Sequence, residues 1–509
     1  MRAALAALGL ALAAMPARDE TLADAIALAY QTNPTLQSER AQLRGVDEGY
    51  VQARSALGPT ASLQIAPSWD QTRFGYASPG ASNSGLAQVT ISQSLYAGGR
   101  DALGVAAARN QIASARQALR ATEGNVMLAV IQAYADVVRD AGSLVVREKN
   151  LEVLKGQVTE AKVRVRDGEL TLTDVAQAEA QLANDRALLS TAQGQLQISR
   201  AEFTTAVGEN PGELAPGPPL PGLPSAADGA FDIAEAQSPE LMQAKFTEAG
   251  SRDKVAVARA AWRPTVSLNV VAGYTGPVVP FGVRAVEREV TGQAVITQPL
   301  FTSGLIGSQV RQALDQNTSD RIAIETSRRV MVQNVANAWN QILVSRANAV
   351  FQRDDVRAAG FAFTGMRIEY KAGLRATLDV LISEEALRDA ELSLLAAEHD
   401  QYVAEATLLR VIGRLEAPDL VPGLPQYDPA ENLRRVENRG QVPWTPLVER
   451  IDGLGTPGAG QQAIPAPRGI AERPAMAPAA PAAPSEAMIT ALPTAPIPGT
   501  ASPAPPPAR

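Results

Sequence analysis

Two periodicities alternate along the chain, and each occurs twice. Residues 22–56 carry apolar side chains at helical spacing (Ala25, Leu28, Ala29, Leu36, Leu43, Val46), which predicts one helix of about 35 residues. The Gly58-Pro59-Thr60 triplet stops it, because a proline pushes the residue before it out of helical space. The period then falls to two. Ala61, Leu63 and Ile65 alternate with Ser62, Gln64 and Ala66, and Ala87, Val89 and Ile91 alternate with Gln88, Thr90 and Ser92. Such alternation marks strands with one apolar and one polar face, each about 9–11 residues long, the length of a tilted membrane-crossing strand. Residues 69–85 between them, rich in Gly, Ser and aromatics, read as a loop. A long helix follows over residues 99–166, then a break at Gly168, then a helix over residues 171–207. At 1.5 Å per residue these span roughly 100 and 55 Å.

The whole pattern recurs. Asn33-Pro34-Thr35-Leu36 returns as Ser238-Pro239-Glu240-Leu241, Gly58-Pro59-Thr60 as Arg263-Pro264-Thr265, Ala133-Tyr134 as Ala338-Trp339, and Gly208 as Gly413. Gly168 and Asp174-Val175 return as Gly373 and Asp379-Val380, and every pair is separated by 205 positions. In the second copy Val266, Leu268 and Val270 form the apolar side of one strand. The last strand is less regular, with Gly292, Ala294 and Ile296 against Gln293, Val295 and Thr297, and residues 276–289 read as its loop. A repeat this long is a duplicated subdomain rather than a solenoid unit. The expected organisation is a leader at 1–17, a first repeat at 18–210 and a linker at 211–230. A second repeat at 231–417, a C-terminal segment at 418–452 and a tail at 453–509 complete it. Two short helices end to end beside each long one would give a cylinder about 100 Å long.

The proline map agrees. Of 36 prolines none lies between Pro79 and Pro211 or between Pro299 and Pro418, while 14 crowd into residues 457–507. Proline costs about 3 kcal/mol inside a helix, so the two proline-free stretches permit long helices. The Ala/Pro-rich tail has too little apolar bulk for a core and reads as disordered. The first residues, Met1-Arg2 followed by an apolar run to Ala14, have the form of a secretory signal, with cleavage after Ala13, Ala14 or Ala17.

Composition removes whole classes of chemistry. The 509 residues include no cysteine and one histidine, His399. Thiol catalysis, disulfides and iron–sulfur or cysteine zinc sites are thus excluded, and so is a lipid anchor on cysteine. The net charge of -7 argues against nucleic acid as a partner. No nucleotide loop, nucleophile elbow or metal-ligand spacing is present, so neither enzymatic activity nor a cofactor is expected. Only 4% of residues are aromatic, which suits close-packed long helices better than bulky globular cores.

Four strands cannot close a barrel, since single-chain membrane barrels begin at eight and open edges are not tolerated in lipid. If the strands enter a membrane, several chains must close the barrel together. The other reading is a soluble four-stranded sheet lying on the helices.

The NPTL start, the ISQSLYAGG and ITQPLFTSG strand-to-helix junctions, the Ala-Tyr helix positions and the DGELTLTDV and AGLRATLDV turns resemble the TolC family of outer-membrane channels over residues 20–420. That resemblance implies a mainly α fold with a small β part. Duplicated long-helix hairpins form a tunnel through the periplasm, and four strands per chain join a trimeric twelve-stranded transmembrane β-barrel. It implies a homotrimer seated in outer-membrane lipid, docked through a periplasmic adaptor onto an inner-membrane ABC or proton-driven transporter. The function expected is a conduit for type I protein secretion, drug efflux or both. The adaptor-contacting turns fall at Gly168, Glu169 and Leu170 and at Gly373 and Leu374, where the glycines serve equally as helix C-caps. The periplasmic gate falls on Asp174, Tyr370 and Arg375, with an aspartate ring at Asp379. A second acidic ring would fall at Ile382, which is apolar, with Glu384 two residues on. Asp174 and Asp379 also read simply as charges favoured at helix N-termini.

Other positions read plainly. His399 is expected to be solvated or to face the tunnel. The Glu384-Glu385 and Arg328-Arg329 pairs read as solvated helix faces. Trp69, Trp262, Tyr274 and Phe281 lie near strand ends, where an aromatic belt or loop packing would place them. The competing class is a periplasmic coiled-coil adaptor without its own pore, which would lack the four amphipathic strands.

Overall fold

The computed structural model describes residues 20–72, 80–279, 282–283 and 286–454. The leader, Phe281 and all but the first two residues of the tail lie outside them. The first repeat runs α1 (Leu22–Thr32), α2 (Pro34–Ser55), β1 (Pro59–Thr72), β2 (Gly80–Tyr96), α3 (Arg100–Arg166) and α4 (Leu172–Val207). The second runs α5 (Ala227–Gln237), α6 (Pro239–Ala260), β3 (Thr265–Gly276), β4 (Val278–Val279), β5 (Gly282–Val283), β6 (Glu287–Thr297), α7 (Leu305–Lys371) and α8 (Thr377–Val411). Three short helices follow: α9 (Ala417–Leu420), α10 (Glu431–Val436) and α11 (Thr445–Gly453).

The helix expected over residues 22–56 is two helices. Pro34 lacks an N–H and drives Asn33 into extended backbone, φ -60 and ψ 123. Asn33 then closes α1 and caps α2, its side chain accepting from the Thr35 N–H at 2.9 Å. Ser238-Pro239 breaks the second copy in the same place. β1, β2 and β3 are also longer than expected, at 14, 17 and 12 residues, while β6 has the expected 11. Trp69 and residues 80–85, read as loop, continue the β1–β2 ladder, where Trp69 faces Asn83. The second loop carries the small β4–β5 hairpin.

The four long strands form one antiparallel sheet in the order β1-β2-β3-β6, so β1 and β6 are its edges. Register settles the faces. Leu63 lies opposite Val89, Val89 opposite Ala272, and Ala272 opposite Val290. On the other side Thr60, Ser92, Asn269 and Gln293 line up, and Ser92 donates to Asn269 at 2.8 Å. The apolar face is not covered by the helices: Leu63, Ile65, Val290 and Ile296 are all exposed.

Each long helix has 67 residues, roughly 100 Å. α3 packs against α4 towards one end and against α2 and α6 towards the strands, while α7 packs against α8 and α6. The main core lies midway, where the helix breaks of both repeats meet. It contains Ile26, Leu36, Met127, Tyr134, Phe203, Leu241, Ile342 and Leu409. A smaller apolar cluster near the hairpin turns joins Leu151, Leu154, Val158, Ala178 and Leu182 to Leu381. Among the described residues no helix is long and apolar enough to cross a membrane.

Candidate functional site

Two places carry the features a conduit needs: the sheet just described, and the pair of hairpin turns at the far ends of the long helices.

Both turns use one design. After α3, the Glu169 N–H donates to the Arg164 carbonyl at 2.9 Å and the Gly168 N–H to Val165 at 3.1 Å, with Gly168 at φ +77. After α7, Leu374 donates to Glu369 at 2.9 Å and Gly373 to Tyr370 at 3.0 Å, with Gly373 at φ +76. This double bond pattern satisfies the last carbonyls of the helix and requires a left-handed residue, hence glycine. Nothing lies within 4 Å of a Cβ built on either glycine. The requirement is therefore conformational, and the tips are open.

The residues that the resemblance assigns to a gate sit on these turns. Asp174 accepts from the Thr171 N–H at 2.9 Å and hydroxyl at 2.7 Å, while the Asp174 N–H donates back to Thr171 Oγ1. This reciprocal cap starts α4, and its hydrogen bonds hold the Asp174 carboxyl below the usual range. Asp379 makes half of the same arrangement, accepting from the Ala376 N–H at 3.2 Å. Arg375 donates from Nε to Glu369 at 2.8 Å, and that contact raises its pKa. The Tyr370 ring lies under the Arg164 guanidinium, 4.7 Å from ring centroid to Cζ. Within one chain Asp174 bonds to neither Tyr370 nor Arg375. The contact that crosses from one hairpin to the other at the tip is Arg164 on Tyr370. Glu169, Leu170 and Leu374 complete the turns, and Leu374 is exposed. Ile382 is exposed too.

Sequence reasoning missed Arg164, Glu369 and Thr171. The Thr171-x-x-Asp174 spacing is a capping signal and was available; the Arg164–Tyr370 contact depends on packing between repeats and was not. Three plain readings also need correction. Glu384 is buried, against Gln157 of α3, because α8 turns that face towards α3 and α4. Burial pushes its carboxyl up to about 7. Arg328 packs on Glu235 at 2.9 Å, while Arg329 is exposed as expected. His399 is half-buried between α8 and α3, with Nε2 3.1 Å from Asp136 and Nδ1 3.0 Å from Asp400. The Asp136 carboxylate beside the ring raises its pKa. Among the described residues no cluster of His, Asp and Glu is arranged to hold a metal ion.

The family profile described as "Outer membrane efflux protein" matches residues 25–209 and 230–414, once for each repeat. The chain is 32% identical over 431 residues to the outer membrane efflux protein BepC of Brucella suis biovar 1, a match covering 85% of this chain and 93% of that protein. It is 24% identical over 410 residues to the outer membrane protein TolC of Vibrio cholerae, covering 79% and 92%. Among solved structures, the outer membrane protein VceC of Vibrio cholerae superposes with a TM-score of 0.66 at 22% identity, over 77% of this chain and 96% of that one. The open-state MtrE outer membrane channel of Neisseria gonorrhoeae gives 0.67 at 20% identity, over 78% and 90%. The uncovered apolar sheet face, the duplicated hairpins and these likenesses lead to one conclusion: the chain belongs to the outer membrane efflux protein family, the TolC-like channel proteins of Gram-negative outer membranes.

Proposed function

We propose that three copies of this chain close a twelve-stranded barrel in the outer membrane and continue it as a helical tunnel through the periplasm. The observation that carries this reading is the sheet. It has a continuous apolar face, a polar opposite face and two unpaired edge strands, β1 and β6. Unpaired edges cannot persist in lipid, so they must pair with edges of other copies.

The conduit serves a tripartite exporter, opening on contact with a periplasmic adaptor and an inner-membrane ABC or proton-driven transporter. The turns at Gly168-Glu169-Leu170 and Gly373-Leu374 are the adaptor's contact points. Asp174, Tyr370, Arg375 and Asp379 restrain the closed tip, with Asp174 reaching Tyr370 and Arg375 only when the tips of the assembled channel converge. Drug efflux is favoured over protein secretion as the main task. The relative matched over 85% of this chain is named an efflux protein, whereas the alkaline protease secretion protein AprF of Pseudomonas aeruginosa matches over 50%.

The test is conductance. Purified protein in planar bilayers should give small closed-state currents, and the Asp174→Ala/Arg375→Ala double variant should raise them several-fold. Unchanged conductance in a normally assembled trimer would sink the gate assignment. A deletion strain assayed for both antibiotic sensitivity and secreted proteins separates the two cargo classes.

A further inference from the structure

About 10–20 Å above the turns, counted at 1.5 Å per residue, α8 meets the α3–α4 hairpin through a polar cluster the gate does not include. Arg388 of α8 donates from Nη1 to Asp185 of α4 at 2.6 Å, and both side chains are 5% exposed. No other ion pair among the described residues is buried on both sides. Asn150 of α3 donates to the second Asp185 oxygen at 3.3 Å. The remaining Arg388 donors go to Asp389 and Glu385. One turn nearer the tip, Gln157 of α3 donates to Glu384 of α8. These bonds sit in the small apolar patch where Leu381 packs against Leu154 and Leu182.

The cluster has no counterpart in the other repeat. At the 205-residue offset, Ala390 stands where Asp185 would and Ala183 where Arg388 would. Packing of duplicated helices alone therefore does not require it.

We infer that Arg388, Asp185, Asn150, Gln157 and Glu384 form a second latch, separate from the tip gate, that holds α8 against the α3–α4 hairpin in the closed channel. The physical basis is the asymmetry of buried charge. Paired and dry, Arg388 and Asp185 satisfy each other; removing one leaves an uncompensated charge in an apolar patch. Parting the hairpins returns both to water. The intermediate state, with the pair stretched but not yet hydrated, is disfavoured, so the contact switches between two states rather than yielding gradually.

The inference rests on the channel reading, and the experiment separates them. Asp185→Asn and Arg388→Gln, each as full-length trimers in planar bilayers, should raise conductance at least two-fold with the tip gate intact. The charge-swapped Asp185→Arg/Arg388→Asp pair should return it towards the parent. A purely structural role would lower the melting temperature without changing conductance. Because the chain has no cysteine, Gln157→Cys with Glu384→Cys introduces the only two thiols. Bridging them with a short bis-maleimide should reduce the conductance of the Asp174→Ala/Arg375→Ala channel to the closed level, and this arm stands even if the charge variants fail to assemble. Conducting channels indifferent to both the substitutions and the bridge overturn the latch alone. Absence of any conductance, in the parent and every variant, overturns the channel reading and the latch together.

Discussion

The two strand-to-helix junctions share one sequence plan and are finished differently. In both, a glutamine at the strand end ties back to the preceding helix: Gln93 donates to the Leu57 carbonyl at 3.0 Å, and Gln298, 205 positions later, to Trp262 at 2.8 Å. In both, a glycine in left-handed conformation, Gly99 or Gly304, precedes a 67-residue helix and offers no side-chain cap. At the first junction the C-terminal segment supplies what is missing. Asp452 of α11, buried, accepts from the N–H groups of Ala97 at 2.6 Å, Gly99 at 2.9 Å and Ala102 at 3.0 Å. Trp444 reaches Gln93 at 3.4 Å. At the second junction no such cover exists within the described chain, and Leu300, Phe301 and Leu305 stand exposed. Duplication made two joints, and the described part of the C-terminal segment finishes the first. The other is left with apolar side chains and helix N–H groups for a neighbouring copy to cover, which fits the proposed trimer.

The largest effect expected from breaking this asymmetry is at Asp452. Asp452→Ala leaves three N–H groups without their acceptor, each costing about 1–3 kcal/mol when buried. The loss should be about 4 kcal/mol, read as a clearly lowered thermal transition of the detergent-solubilised protein. A transition at the parental temperature would show that α11 merely covers the first junction and does not cap it.

The duplication, the long helices and the alternating strands were all legible because they follow from period and proline placement. The helix read from residue 99 to 166 starts at Arg100 and ends at Arg166. The break at Pro34 was equally present in the sequence. It was overlooked because apolar spacing continues across it: Ala29 and Leu36 pack into one core on either side of the kink. The tip residues were placed by motif, but their partners were not. Asp174 turns to Thr171, Arg375 to Glu369 and Tyr370 to Arg164. Which acceptor wins depends on turn geometry and on packing between hairpins, neither of which spacing encodes. Asp452 was invisible for a related reason, being about 350 residues from the groups it caps.

A second comparison lies between Glu179 and Glu384, which occupy the same position in the two repeats. Glu179 is half-exposed and pairs with Lys162 at 2.7 Å. Glu384 is buried, facing Gln157 of α3, Asp185 of α4 and Arg367 of α7, with Arg388 beside it on α8. Burial, reinforced by Asp185, raises its pKa from 4.5 to about 7. A carboxyl raised on folding stabilises the folded form below its unfolded pKa, and that contribution is lost as pH climbs from 4.5 through about 7. The difference amounts to about 3 kcal/mol at most. Amide exchange in α8 around Leu381 should therefore quicken from pH 5 to pH 8, beyond the intrinsic chemical dependence. Glu384→Gln should flatten the change and Glu179→Gln should leave it intact. An equal response in both variants would mean the two repeats titrate alike.

The smallest effect returns to the junctions. Gly98, at φ +72, is packed so that an added Cβ would lie 2.7 Å from the Arg263 Cβ and 3.1 Å from the Ala260 carbonyl. Its counterpart at the 205-residue offset is Ser303, which holds φ +50 with a side chain present. A non-glycine residue there costs about 1 kcal/mol. The second junction tolerates this because it is open, whereas the first is walled in by α6 and cannot accept even a methyl group without moving the backbone. Ser303→Gly should therefore relieve strain and raise stability by up to about 1 kcal/mol, offset in part by the greater freedom glycine gives the unfolded chain. Gly98→Ala should lower it by more than that, since it adds a steric clash to the same backbone strain. Matched melting curves of the two variants decide the point: shifts of equal size and sign would show that the covered and uncovered joints are mechanically equivalent.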